Sequence, residues 1–504
     1  MKGAGREGPV QGASRTAHTT AAPESDPIER GPCRGARLWS RSPTTRAVPL
    51  DGTLPPRPPT TTAATLPRRM PRPAPPPAPP PATAARSAPL AVIFFTVLLD
   101  LLGFGMVIPL LPFYAERYGA SPFDVALLFA SFSLAQFVFA PVWGRLSDRV
   151  GRRPVLLGSI AGAVAAYALF AFAHSFPVLL TARIASGVAA ANYSIAQAWV
   201  ADVTTRDERA RGMGLLGAAF GLGFVLGPVL GGLAGHLGYA AVPAAAGILS
   251  ALNLALAWAL VPESLPPEVR ARHREAELLD RSGADRPSEG EAGGRWLSRA
   301  GVRWAARNPA VSGLMGLLFL VIFAFAGMEA TLGLFVEQRY GWGFAENAWL
   351  FTYIGVVMVI VQGGLLGRLA RRFGESRLIA AGIATMAVGL VLLPVGRSVA
   401  LALGATGLLA VGMGLHNPST LALISRLTPD HRQGGTLGVA RSLGALARGV
   451  GPLWGGWAFG SLGPGWPFWS GAVLMAVALL VAVPVLGRVR LDEGEPGLGR
   501  VGVA

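Results

Sequence analysis

Residues 144–154 read Gly144-Arg145-Leu146-Ser147-Asp148-Arg149-Val150-Gly151-Arg152-Arg153-Pro154. This charged string lies between two apolar stretches, 124–143 and 154–173, so it reads as a short connection between two spans. Its glycines allow a tight reversal, its arginines stay with water and anionic headgroups, and Asp148 can face a helix N-terminus or a basic partner. The string returns 223 positions later as Gly367-Arg368-Leu369-Ala370-Arg371-Arg372-Phe373-Gly374. A second pair, Gly227-Pro228 with Gly231-Gly232, returns 224 positions later as Gly451-Pro452 with Gly455-Gly456. Two matches at almost one offset predict duplicated halves related by an axis along the membrane normal. Arg371 stands where the first copy has Asp148, so the acid belongs to the first half alone.

Around these strings the chain is 52% hydrophobic and only 14% charged, a balance that points to a membrane protein. A bilayer core of about 30 Å needs roughly 20 apolar residues per helix. Such stretches fall at 89–113, 124–143, 154–173, 177–200, 212–235, 239–261, 309–336, 347–367, 377–395, 399–421, 434–459 and 465–487, which predicts twelve transmembrane helices. One long polar connection, 262–308, separates an N-terminal six-helix half (88–261) from a C-terminal one (309–487). Residues 488–504 form a tail. Residues 1–87, rich in Pro, Ala, Thr and Arg, read as a disordered cytoplasmic arm or an over-long gene start, with no signal-peptide pattern.

The formal net charge is +16, but thirteen of the 44 basic residues lie in the first 87 positions and most others in short connections. No basic groove for nucleic acid results. Cys33 is the only cysteine, which excludes an intramolecular disulfide and a thiolate metal cluster. The glycine strings lie inside apolar spans with no strand before them and no lysine beyond Lys2, so they are not phosphate loops. Neither enzymatic chemistry nor ATP-driven transport is expected, and no cofactor or metal. Arginines concentrate after spans 2, 4 and 8, which places those connections, the central loop and both termini in the cytoplasm.

These segments together resemble the major facilitator superfamily, and within it the twelve-helix drug:proton antiporters, especially the tetracycline-resistance efflux pumps. The resemblance covers about residues 89–487. It rests on Asp100-Leu101-Leu102-Gly103-Phe104-Gly105 with Pro109-Leu110-Leu111-Pro112, the Gly144–Pro154 string, Ala201-Asp202-Val203-Thr204, and Gly214-x8-Gly223-x3-Gly227-Pro228-x2-Gly231-Gly232 in span 5. It implies an all-α major facilitator fold, two six-helix bundles around a central cavity. It further implies a gating latch of Gly144, Asp148, Arg149, Gly151 and Arg152, in which Asp148 meets the start of helix 11 near Gln433 to Thr436. The span 5 glycines, with Pro228, would form a hinge that seals the path against proton leak; a plain packing interface is the alternative.

Ionisable residues inside spans are sharper evidence, since an unpaired charge at helix centre costs at least about 2.5–3.5 kcal/mol. Asp100 lies about 16 Å into span 1, where a carboxylate can alternate between protonated and charged forms as water access switches. Glu329, in the outer third of span 7, is a second proton or substrate site, or else pairs with Arg339 in an outer vestibule. Arg183 in span 4 matches a family arginine implicated in proton transfer. Gln136, Asn192, Tyr193, Gln197, Gln362, His416 and Asn417 are polar candidates for the cavity wall. Asn192-Tyr193 and His416-Asn417 share the 224 offset, and His416 reads either as a proton carrier or as a packing residue. Arg448 fits a family pattern before Gly-Pro; Arg441 fits none.

The expectation is a monomeric, multi-pass plasma-membrane transporter that exchanges protons for a small organic compound. Its rivals are a metabolite exporter or proton symporter of the same fold, and a membrane receptor or scaffold that moves nothing.

Overall fold

The computed structural model describes residues 87–271, 299–429 and 432–494. The N-terminal arm, most of the central connection and the end of the C-terminal tail lie outside these residues. The first half comprises α1 (Ser87–Val107), a 3-10 turn (Ile108–Leu110), α2 (Leu111–Glu116), α3 (Pro122–Val150), α4 (Arg152–Ala171), α5 (Phe176–Ala189), α6 (Asn192–Val203), α7 (Arg206–Gly235) and α8 (Ala241–Leu260). A short amphipathic α9 (Arg299–Arg307) leads into the second half. There follow α10 (Pro309–Tyr340), α11 (Phe344–Val359), a π-helical stretch (Ile360–Leu365), α12 (Leu366–Phe373), α13 (Glu375–Val395), α14 (Val399–Arg426), α15 (Gln433–Ser461) and α16 (Trp466–Gly494).

Local chemistry sets the ends. Ser121 and Asp124 form a capping box at α3, with Ser121 N–H donating to Asp124 Oδ2 at 2.9 Å and Asp124 N–H to Ser121 Oγ at 3.2 Å. Thr205 and Glu208 do the same at α7. Asn308 accepts from the Ala310 and Val311 amides just before Pro309, and Gly341 closes α10 at φ 69°.

Among the described residues, eleven helical segments are long and apolar enough to cross a membrane. The remaining sequence span is α15, whose 29 residues reach about 43 Å. It is glycine-rich and carries Arg441 and Arg448, which lowers its apolarity, and it packs against α10 within its own half and α3 of the other. The halves meet along α3–α15 and α7–α11. Toward the ends away from the arginine-rich connections, Gly456 lies against Pro122 and Ala126, and Gly235 against Phe344. There too Asn347 Nδ2 donates across the halves to the Pro109 carbonyl at 3.0 Å.

Two expectations change. The charged string is no loop: α3 continues to Val150, because one mid-helix glycine, Gly144, costs only about 1 kcal/mol against alanine. Gly151 alone makes the reversal, at φ 121°, and Gly374 repeats it at φ 77°. Span 4, read as continuous, is broken between α5 and α6 at Ala190–Ala191.

Candidate substrate and proton site

A helix broken inside a bilayer leaves backbone groups that cost several kcal/mol each unless they find partners. Here side chains from two neighbouring helices supply them. Trp143 Nε1 donates to the Val188 carbonyl at 2.5 Å, Ser159 Oγ to that of Ala189, and Gln136 Nε2 to that of Ala190 at 3.2 Å. Ser159 Oγ also accepts from the Ala191 amide at 3.3 Å. The break thereby fixes the first residue of α6, Asn192, which is 1% exposed. Its Nδ2 donates to Asp100 Oδ1 at 2.6 Å, while its Oδ1 has no hydrogen-bond partner. The structure thus joins two candidates from distant spans, with a neutral partner for the carboxylate.

Arg183 is 2% exposed, with Nε donating to the Leu128 carbonyl at 3.3 Å and its guanidinium 4.6 Å above the Phe132 ring. Buried Tyr167 stands within electrostatic reach of both Asp100 and Arg183. The sequence reading missed Tyr167; the signal available was Gly103, whose missing side chain leaves room for its hydroxyl. From Phe132 a series of rings crosses the first half. Phe104 lies 5.1 Å from Phe132 and 6.0 Å from Phe224, Phe224 stacks on Phe220 at 4.8 Å, and Phe220 lies 5.9 Å from Tyr193. These phenylalanines carry no periodic signal apart from ordinary packing, so the sequence did not single them out.

In the second half, Glu329 on α10 is half-buried and faces Arg448 of α15 electrostatically. Arg339, the alternative partner, instead donates to the Gly396 carbonyl at 3.3 and 3.4 Å. Arg441 reaches across to the first half, donating from Nη1 to Gln197 Oε1 at 2.5 Å. Gln362 is exposed in the π-helical stretch and Asn417 is half-buried. His416 is 0% exposed, packed between α14 and α13 where Gly382 makes room for it.

The glycines of α7 are packing positions. A Cβ on Gly223 would meet Leu101, on Gly227 the Gly105 backbone, and on Gly231 the Met106 carbonyl, so α1 and α7 touch backbone to backbone. Pro228 is buried in this contact, and Gly232 faces Ala348 of the other half. Gly214 differs from its expected companions: nothing lies within 4 Å of where its Cβ would be.

At the arginine-rich ends, Arg152 Nη1 pairs with Asp148 at 2.6 Å and its Nε with Asp202 at 3.1 Å. These contacts tie α3, α4 and α6 together. Half-buried Arg149 neighbours Asp148. Glu263, which the sequence reading passed over, accepts from the Arg152 amide at 2.9 Å and the Arg153 amide at 3.2 Å, capping α4. Gly151 has no side chain because Glu263 occupies that space.

A family model described as Major Facilitator Superfamily matches residues 93–368 and 363–500. The chain is 33% identical over 416 residues to Major facilitator superfamily domain-containing protein 10 of Bos taurus, covering 73% of this chain and 87% of that protein. It is 34% identical over 374 residues to Tetracycline resistance protein, class C, of Escherichia coli, covering 72% and 88%. It is also similar to the crystal structure of the human organic anion transporter MFSD10 (TETRAN), with TM-score 0.59 and 27% identity over 79% of this chain and 100% of that one. With these matches and its two bundles of membrane-spanning helices, the chain belongs to the major facilitator superfamily as a multi-pass integral membrane transporter.

Proposed function

We propose that the chain exports a small organic compound in exchange for protons, by alternating access between two half-bundles. Working as a monomer, it needs no cofactor beyond the proton gradient, and both termini face the cytoplasm from the plasma membrane. The observation that carries this reading is the Asp100–Asn192 contact at the break between α5 and α6. An ionised Asp100 accepts from the Asn192 amide nitrogen; a protonated one can donate to the amide oxygen, which is otherwise without a partner. The pair therefore accommodates both proton states, and loading Asp100 removes the charge that strengthens its present contact. Glu329 opposite Arg448 offers a second carboxylate in the other half, so proton and substrate can bias how the halves meet.

The likeness to tetracycline resistance proteins and to a protein described as an organic anion transporter supports a small organic substrate. The test is efflux from proteoliposomes under an imposed pH gradient, with and without a protonophore. Asp100→Asn is expected to insert normally yet lose gradient-driven transport. Full gradient-driven transport by that variant excludes the role.

A further inference from the structure

Charges in the membrane interior need partners, and those of this transporter do not balance. Glu329 is answered by Arg448, and Asp100 shares Tyr167 with Arg183. Arg441 is left over: no carboxylate among the described residues is ion-paired with it, and its partner is the neutral Gln197. It lies about 12 Å along α15 from the helix start, its side chain is exposed, and it spans the gap between the halves. Tyr193, one turn before Gln197 on α6, is within electrostatic reach of the same guanidinium. Beyond Tyr193 stand Phe220, which is 40% exposed, and Phe224 stacked on it with 24° between the ring planes.

From this arrangement we infer that Arg441, Tyr193 and Phe220 form a subsite for a flat aromatic organic anion, whose acidic group displaces Gln197 from the guanidinium. The inference rests on the transport reading and adds the substrate class. A guanidinium presents a planar fork that matches a carboxylate with two parallel hydrogen bonds, where an amide oxygen offers a single neutral acceptor. An entering anion also supplies the counter-charge that Gln197 lacks. The exposed ring of Phe220 extends a stacked pair, which a planar substrate continues and an alicyclic one does not. A cationic substrate would meet repulsion at Arg441.

The test is equilibrium binding to purified full-length protein in detergent, read by fluorescence anisotropy of carboxyfluorescein. Displacement by naphthoate, cyclohexanecarboxylate and ethidium follows. Naphthoate is expected to compete best, cyclohexanecarboxylate more weakly, and ethidium not at all. Arg441→Gln is expected to weaken carboxyfluorescein binding by about tenfold or more, and Arg441→Lys by less. Gln197→Glu installs an internal counter-ion without removing Arg441, and should weaken anion binding likewise; it serves if Arg441→Gln does not fold. Phe220→Ala should erase the preference for naphthoate over cyclohexanecarboxylate. Preferred binding of ethidium, no binding of carboxyfluorescein, or unchanged anion affinity in both Arg441→Gln and Gln197→Glu overturns the inference. Anion binding in the expected pattern without proton-driven movement in proteoliposomes would instead sink the transport reading and leave the subsite standing.

Discussion

Replacing Gly105 with alanine tests how tightly α1 and α7 are joined. The new Cβ would lie 2.7 Å from the Gly223 carbonyl oxygen, 3.2 Å from Gly227 Cα and 3.4 Å from Pro228 Cδ. An ordinary carbon–oxygen contact is about 3.3 Å, so the helices must separate by roughly 0.6 Å. The obstructing atom is backbone, which no rotamer change can move aside. Overpacking of this kind costs about 1–3 kcal/mol. For a domain of this size that is a fall of roughly 2–5 °C in melting temperature, scaling the usual shift per kcal/mol down for length. The matched comparison is Gly214→Ala on the same helix, where nothing lies within 4 Å. There alanine relieves the helix penalty of glycine, up to about 1 kcal/mol, so stability should hold or rise. Thermal unfolding of both purified variants in detergent reads the difference. Equal melting temperatures, or a larger loss at Gly214, would refute the claim that these glycines are present for backbone contact.

Other consequences can be measured alongside. Ser159→Ala removes the hydroxyl serving both sides of the α5–α6 break and should lower stability by about 1–3 kcal/mol; an unchanged unfolding curve would mean the break is satisfied otherwise. Glu263→Ala uncaps α4 and is expected to cost about 1 kcal/mol by the same assay, with hydrogen exchange accelerated at the Arg152 and Arg153 amides. Glu329→Gln and Arg448→Gln, singly and together, should give non-additive losses in substrate binding, since either single change strands a charge inside the membrane. Strict additivity in that cycle would show that the two groups do not sense each other. His416→Gln should shift stability without altering the pH dependence of transport, as its packed position between α13 and α14 implies; a displaced pH profile would return it to the proton path.

The architecture was legible in the residue order because membrane burial is a one-dimensional constraint. Runs of about 20 apolar residues, arginines gathered on one side and a recurrence at 223–224 positions each follow from the lipid environment or from duplication. Asp100, Glu329 and Arg183 were visible for the same reason, because a charge inside a span is conspicuous wherever it points. The lack of a turn within Gly144–Val150 was not legible, since a lone glycine between helix formers is compatible with either outcome. Nor was the interruption of span 4: Ala189-Ala190-Ala191 contains no breaker, and the groups that stabilise the break, Gln136, Trp143 and Ser159, come from other helices.

Sequence alone therefore determined the all-helical membrane fold and which ionisable residues fall within its spans, because hydropathy and charge act residue by residue. Only the tertiary structure decided which groups meet. Asp100 bonded to Asn192, Glu329 within electrostatic reach of Arg448, and Arg441 bonded to Gln197 are each set by how helices distant in the chain rotate and cross, and no local pattern encodes those angles.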